Sequence, residues 1–590
     1  MALYPGGGAH LAYSTPNLNE AEPADHIEDG RSLTDDDFYD ATDYWAHKNE
    51  ISLEQCIAEA KAAMDLFLNN DFEQAQQKMK PLADKTMYHA LGYSTILFLQ
   101  AMMTCDRADM EKALEASQKA VNVIHRFRAQ YSISDSIFRL SGHYKKLSDE
   151  EIHAELCYAE ALLFRAALTF FYDESLASFI KGALKIRSCF MSYRECYRIL
   201  NSHTWKTHNS KIRDEFEAGV LLGLGSFNIG LSILPGKILK LLQVIGFNGK
   251  RSYGMKCLNK VAEMKHTLRS TMASLSLLVW ELFVTFFIGE GLPNRTLCAA
   301  LFKDLNVQYP NGAIILFLRA RFHLTSGDVD NAIYFYNQSV YCQSYYKQFH
   351  HICYWELQFA YAMLGCWDWA ANYAKRLKNE SRWSRCVYAY LIAIYIYPYD
   401  QSIENYVTWR LLCQKVPKVR LRIAGKSIPV EKFCERKAKR FLAENRMYLA
   451  NFEFMYFWNI FSIFEARRSH VSDVMYKIEQ FKRENPTEDV NDLALYDFLR
   501  GVCLKTMRQY ESAERCLYKV IQSESRLTDN FYLVPNATFE LSQIRFEQKN
   551  YSEAESLLNK VKQYKGYSLE NKLLFRVHAA VERLAALKST

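Results

Sequence analysis

From Ile51 onward, apolar residues recur about every 3.6 positions, the period of a helix with one buried face. Cys56, Ile57, Ala60, Ala63, Met64, Phe67 and Leu68 form one such stripe. Asn69 and Asn70 interrupt it, and Phe72, Ala75, Met79 and Leu82 begin a second. In the second helix an aromatic residue stands three positions before a small one, and a large one follows four later. A small residue there leaves room for a partner helix to cross closely. The small position returns with Ala113, 38 residues after Ala75, then with Ala332 and Ala370, and again with Ala513 and Ala554. Residues 149–172 and 174–200 read as a further helical pair broken at Asp173.

These spacings resemble a degenerate tetratricopeptide repeat, whose period is about 34 residues. The pattern predicts an all-α protein, a TPR-like α-solenoid of antiparallel helix hairpins. The clearest units fall near 313–346, 351–384, 493–526 and 534–567, within a C-terminal half spanning 291–590; an N-terminal half with weaker repeats spans 47–290. Each hairpin leaves an apolar face that only a neighbour can cover, so the array is expected to curve around a concave groove. Low breaker content, 12 prolines and 23 glycines in 590 residues, favours the same reading over a many-turned β architecture.

Eight of those glycines crowd into residues 218–254, AGVLLGLGSFNIGLSILPGKILKLLQVIGFNGKRSYG. Gly223 and Gly225 imitate a dinucleotide loop, but position 228, where a third glycine belongs, is Asn228. As a membrane span the stretch is poor, because five glycines, Ser226, Asn228, Ser232 and Pro235 interrupt its uncharged run. Small residues at helical spacing instead present a flat face for close packing. Gly223, Gly225 and Gly230, with Pro235 starting a new helix and Gly246 ending it, are expected to form a structural pivot between the two halves. Residues 270–289 are nearly all apolar apart from Glu281. They read as a buried solenoid helix or, in the alternative, as an element touching a membrane surface.

The stretch, with YPNGAIILFLRAR, KQFHHICYWEL, KNESRWSRCVYAYL, RIAGKSIPVEKF and YSLENKLLFRVHAA, resembles the tetratricopeptide repeat protein 39 family, which groups with fungal inclusion-body-clearance proteins. The resemblance runs from about Leu53 to the C-terminus. It implies an all-α repeat protein without assigned catalytic residues.

Charge separates the first residues from the rest. Residues 1–50 hold eleven acids and two bases, although the whole chain carries +7. Residues 1–46 read as a disordered acidic tail with its own partner. Within it, residues 37–43 resemble the FFAT motif, which docks on VAP-family proteins of the endoplasmic reticulum. Asp37 is the leading acid, Phe38 and Tyr39 the aromatics, Asp40 the core acid, Ala41 the small residue and Asp43 the closing acid. Acidic residues would steer the peptide while Phe38 and Ala41 fill an apolar pocket. The alternative is a helix N-cap region at Thr42 or Asp43.

A second charge concentration lies at 415–440, with ten bases and two acids. Lys418, Arg420, Arg422, Lys426, Arg436 and Lys437 are candidates for a patch that receives an acidic peptide or phosphorylated headgroups, against a plain solvated face. The AGKS at 424–427 lacks the glycine at 420 that a phosphate loop requires. No aromatic residues are interleaved with these bases, so nucleic acid is not an expected partner. Fifteen cysteines without a C-x-x-C pair read as reduced, buried thiols of a cytoplasmic protein. No nucleophile–base pair, metal cluster or cofactor loop emerges, so no cofactor and no enzymatic activity are expected. The expected function is a non-catalytic adaptor that binds protein partners, recruited to the endoplasmic-reticulum surface by its tail. The alternative is a lipid- or membrane-associated protein of lipid homeostasis, whose glycine-rich hairpin and 270–289 helix contact a membrane or enclose an apolar cavity.

Overall fold

A computed structural model describes residues 51–104, 106–129, 147–172, 176–202, 210–232, 249–289, 291–399, 402–423 and 426–589. Its N-terminal helices are α1 (Leu53–Leu68), α2 (Phe72–Met79), α3 (Met87–Thr104), α4 (Arg107–His125), α5 (Asp149–Tyr172), α6 (Leu176–Leu200), α7 (Ser210–Ser232), α8 (Arg251–Glu263) and α9 (Ser270–Ile288). The C-terminal part begins with α10 (Arg295–Gln308), α11 (Ala313–Thr325), α12 (Val329–Tyr341), α13 (Lys347–Leu364), α14 (Trp367–Glu380), α15 (Arg385–Tyr399) and α16 (Ile403–Lys415). It continues with α17 (Pro429–Glu444), α18 (Ala450–Phe457), α19 (Ile460–Ile463), α20 (Arg468–Glu484), α21 (Val490–Thr506), α22 (Tyr510–Gln522), α23 (Leu533–Glu547), α24 (Tyr551–Val561) and α25 (Glu570–Ser589). Among the described residues, the departure from an all-helical chain is one antiparallel pair, β1 (Arg422–Ile423) with β2 (Lys426–Ser427).

One local rule builds five of the hairpins. The first helix ends in a left-handed residue, at Asn70, Gly327, Gly365, Arg508 or Lys549. The next residue donates its N–H five positions back, as in Asp328 to His323 and Gln509 to Leu504, both at 2.9 Å. That bond satisfies a helix-end carbonyl and reverses the chain. The following residue opens the second helix, and three positions on stands the small residue: Ala75, Ala332, Ala370, Ala513 or Ala554. All five are fully buried, as is Ala113 of α4, which is why nothing larger than a methyl fits at the crossing.

The two halves are stitched together rather than merely adjoining. Helix α1 packs on α11, and α3 on α13. Asn70 donates to Asn311 O and accepts from Ala313 N, both at 2.8 Å, while Tyr309 donates to Asp65 at 2.5 Å. At the far end of α9, Asn459 donates to the carbonyls of Phe286 and Phe287. One apolar cluster accordingly runs from Leu53 to Leu584.

Candidate functional site

Helix α7 carries the first part of the glycine stretch, residues 218–232, and its glycines have different surroundings. A Cβ on Gly223 would lie 1.9 Å from Cε1 of the buried Tyr193. One on Gly219 would meet Leu156 at 2.4 Å and Arg269 Nε at 2.7 Å. Gly225 faces Gly254 of α8, where an added Cβ on Gly254 would come within 2.8 Å of the Gly225 carbonyl. Backbone meets backbone there, which only glycine permits. Asn228 accepts from Lys250 N at 2.9 Å and so ties α7 to the start of α8. Gly230 departs from the expected pivot: it is exposed, and a Cβ there meets nothing within 4 Å. Pro235 and Gly246 lie outside the described residues.

The exposed end of α7 is the rim of an apolar chamber of about 780 Å³. Its wall combines α1, α2, α3, α5, α7, α8, α9, α11 and α13, with Met64, Ile96, Leu222, Leu275 and Phe317 among the residues contributed. Helix α9 is long and apolar enough to cross a membrane by length and composition, at a mean hydropathy of 1.8. In this fold more than half of it is buried, and its inner face lines the chamber. A π-turn at Trp280–Val284, closed by a bond from Thr285 N to Trp280 O, inserts one extra residue into the helix. Trp280, Phe283 and Val284 of that turn all belong to the wall. Such insertions recur at functional sites because they re-aim consecutive side chains.

One ion pair interrupts the apolar wall. Arg269 grips Glu160 through Nε at 2.7 Å and Nη2 at 2.9 Å. Burial opposes the guanidinium charge, yet Glu160 more than offsets this and holds Arg269 above its ordinary range. Behind the pair, Tyr88 donates to His153 Nδ1 at 2.8 Å, since His153 Nε2 must itself donate to Ile212 O at 3.1 Å. Glu215 also stands 4.0 Å from Arg269 Nη1, so the guanidinium is matched by carboxylates of the fold itself. The network fastens α3, α5, α7 and the start of α9 to one another.

A second surface lies on the C-terminal repeats. Tyr341 is 77% exposed and Trp369 48% exposed. Trp369 stacks on Tyr361 at 5.4 Å, Tyr361 on Tyr373 at 5.6 Å, and Tyr373 meets Tyr354 at 5.7 Å. Arg376 sits over both Tyr354 and Tyr373. Tyr334 on α12, Trp383 between α14 and α15, and Tyr406 and Leu411 on α16 are further exposed apolar side chains of these repeats. Elsewhere on α14, partial burial, then Lys415 and Lys375, hold the Lys378 ammonium below the ordinary lysine value. Exposed Trp, Tyr and Arg in one patch are the residue types that dominate binding energy at protein interfaces.

The expected basic patch at 415–440 is not assembled as one surface. Lys437 is 1% exposed and donates to Glu453 at 2.9 Å and Asn530 at 3.3 Å. Arg420 pairs with Glu435, and Arg436 with Asp529 at 3.3 Å. Only Lys418 of the six has a described, exposed side chain. Arg422 and Lys426 stand on β1 and β2. Two of the neutralising carboxylates, Glu453 and Asp529, are remote in sequence, and the third, Glu435, lies within the stretch itself. The tail residues Asp37, Phe38, Tyr39, Asp40, Ala41 and Asp43 lie outside the described residues. Among the described residues no group of three His, Cys, Asp or Glu side chains is placed to hold a metal ion.

The aromatic face escaped sequence reasoning, as did most of the helices that wall the chamber; an apolar cavity was expected only from the glycine-rich hairpin and the 270–289 helix. Five methionines, at 64, 79, 102, 103 and 272, line the chamber. Their density in an N-terminal half of ordinary helices was the available signal, since methionine adapts to irregular apolar space.

A sequence model described as Iml2/Tetratricopeptide repeat protein 39 matches residues 61–507. The Caenorhabditis elegans protein named Tetratricopeptide repeat protein ttc-39B is 46% identical over 566 residues, covering 94% of this chain and 98% of its own. Among solved structures, yeast Tom70 aligns at 12% identity over 91% of this chain and 96% of its own, with a TM-score of 0.25. The TPR domain of P58(IPK) aligns at 12% identity over 84% of this chain and 99% of its own, with a TM-score of 0.18.

Proposed function

Because the chain belongs to the Iml2/Tetratricopeptide repeat protein 39 family, we propose that it is a non-catalytic adaptor holding a protein partner on the aromatic face of α12–α16. The observation that carries this reading is the stacked row from Trp369 through Tyr361 and Tyr373 to Arg376, exposed at its Trp369 and Tyr341 end. Arg376, over Tyr354 and Tyr373, suits a partner segment bearing aromatic and acidic side chains. Proximity labelling with the wild type and with a Tyr341→Ala/Trp369→Ala variant tests it. A discrete set of neighbours should disappear in the variant while its melting temperature stays the same. An unaltered set would remove the face from the account.

The tail supplies the address in this reading. Residues 37–43 recruit the adaptor to VAP proteins and so place a cytoplasmic protein at the endoplasmic-reticulum surface. The support is the sequence pattern alone, two aromatics embedded in acids. Co-precipitation with VAP proteins should be lost in Phe38→Ala and Asp40→Ala; persistence would end the tether idea.

A second reading, binding of lipid by the N-terminal half, is favoured by one specific observation. The glycine helix and α9 together wall an apolar chamber of about 780 Å³, within the range of about 300–1,000 Å³ typical of small-molecule sites.

A further inference from the structure

We propose that the chamber binds an uncharged lipid, with an apolar body against the methionine-rich wall and a single oxygen function that accepts a hydrogen bond from the Trp280 indole. This rests on the lipid reading above and adds to it the charge class of the ligand and the residue that recognises it.

Three observations converge. The first is the chamber itself, far larger than the packing gaps of a protein interior, with a wall drawn from nine helices. The second is Trp280. It is 3% exposed, belongs to that wall, and its Nε1 has no hydrogen-bond partner among the described residues. A buried indole N–H ordinarily finds an acceptor, since leaving it unmade is costly. The ring is also held: Arg251 lies 4.8 Å from its centroid, and the π-turn begins at this residue. The third is that three other polar side chains of the wall, Thr95, Ser276 and Tyr88, are bonded within the protein. Thr95 donates to Leu91 O and Ser276 to Met272 O, while Tyr88 bonds His153.

The charge balance selects among lipids. Arg269 is the wall's cation, and Glu160 already occupies its Nε and Nη2. A carboxylate or phosphate headgroup would therefore enter an apolar chamber without a counter-charge, which is unfavourable. A pure hydrocarbon would leave Trp280 unsatisfied. An alcohol, ester or ketone group meets both conditions. Entry is available beside Gly230 and Val279, which are exposed and also belong to the wall.

The test uses the purified full chain, stripped of lipid, with Nile red as the reporter and three C18 probes delivered from cyclodextrin: oleyl alcohol, oleate and octadecane. Oleyl alcohol should displace the dye most effectively, with oleate and octadecane each weaker by about threefold to tenfold. Trp280→Phe should weaken oleyl alcohol by a similar factor and leave octadecane unchanged. Gly230→Phe, whose added side chain starts from open space, should block all three while the protein melts as before. Oleate binding as tightly as the alcohol, or an alcohol affinity unchanged in Trp280→Phe, would overturn the recognition proposed here and leave the lipid reading standing. No displacement by any probe in folded protein would overturn both.

Discussion

Lys437 lies on the first helix after the β pair, inside a run of bases, and its neighbours in sequence suggest a solvated ammonium. Its neighbours in space are Glu453 and Asn530, and it is buried among them. Removing one partner of a buried pair strands the other, so Lys437→Ala should lower stability by about 3–5 kcal/mol in urea denaturation. Lys437→Met combined with Glu453→Leu should recover most of that loss, because the cost comes from the uncompensated charge. The glycines of α7 teach a similar lesson. Sequence spacing treats Gly223 and Gly230 alike, yet Tyr193 fills the space over the first and open space lies over the second. Gly223→Ala should therefore cost about 1–3 kcal/mol through overpacking. Gly230→Ala should be neutral or stabilise by up to about 1 kcal/mol. Equal melting temperatures for the two variants would show that close packing is not what the stretch is for.

At the scale of the element, the hairpin is what the sequence displays best. The buried alanine and the large apolar residue three positions before it are local signals, and each reports directly on a helix crossing. The turn is partly hidden. Gly327 and Gly365 announce a left-handed residue, whereas Arg508 and Lys549 occupy the same place without any propensity for it. Replacing Arg508 or Lys549 with Gly should raise stability by about 0.5–1 kcal/mol, since relief of strain exceeds the added freedom of the unfolded chain. A thermal melt showing destabilisation in both would mean that their side chains matter more than their backbone. The basic stretch was illegible for the opposite reason: its pattern was clear, but two of its neutralising carboxylates, Glu453 and Asp529, are remote in sequence.

The whole molecule adds what no single element carries. Glu540 of α23 accepts from Tyr456 of α18 at 2.9 Å and from Arg576 of α25 at 3.0 Å, and it pairs with Lys505 of α21. Burial alone would raise its pKa, but Lys505 and Arg576 overcome this and bring it down to about 2. A carboxyl depressed in the folded state contributes stability above its unfolded value, about 4.3, and loses it as pH falls toward about 2. The stability gap between wild type and Glu540→Gln should accordingly be constant from neutral pH down to about 5 and close progressively below about 4. A gap independent of pH would show that Glu540 is not ionised in its cluster. The chamber also belongs to this scale. Its wall is assembled from helices as far apart as Ala60 and Ile352, each of which reads alone as an ordinary core helix. The aromatic face likewise appears only when consecutive repeats stand side by side. Sequence could therefore indicate a partner-binding repeat protein without showing where its surfaces lie.

The central claim is that the face around Trp369 holds a protein partner, and site-directed photo-crosslinking in cells tests it most directly. A benzophenone amino acid at position 369 should yield discrete adducts that vanish when Tyr341→Ala is added, while the same group at the exposed Glu582 yields none. Adducts at 582 that match those at 369, or adducts at 369 indifferent to Tyr341→Ala, would contradict the account.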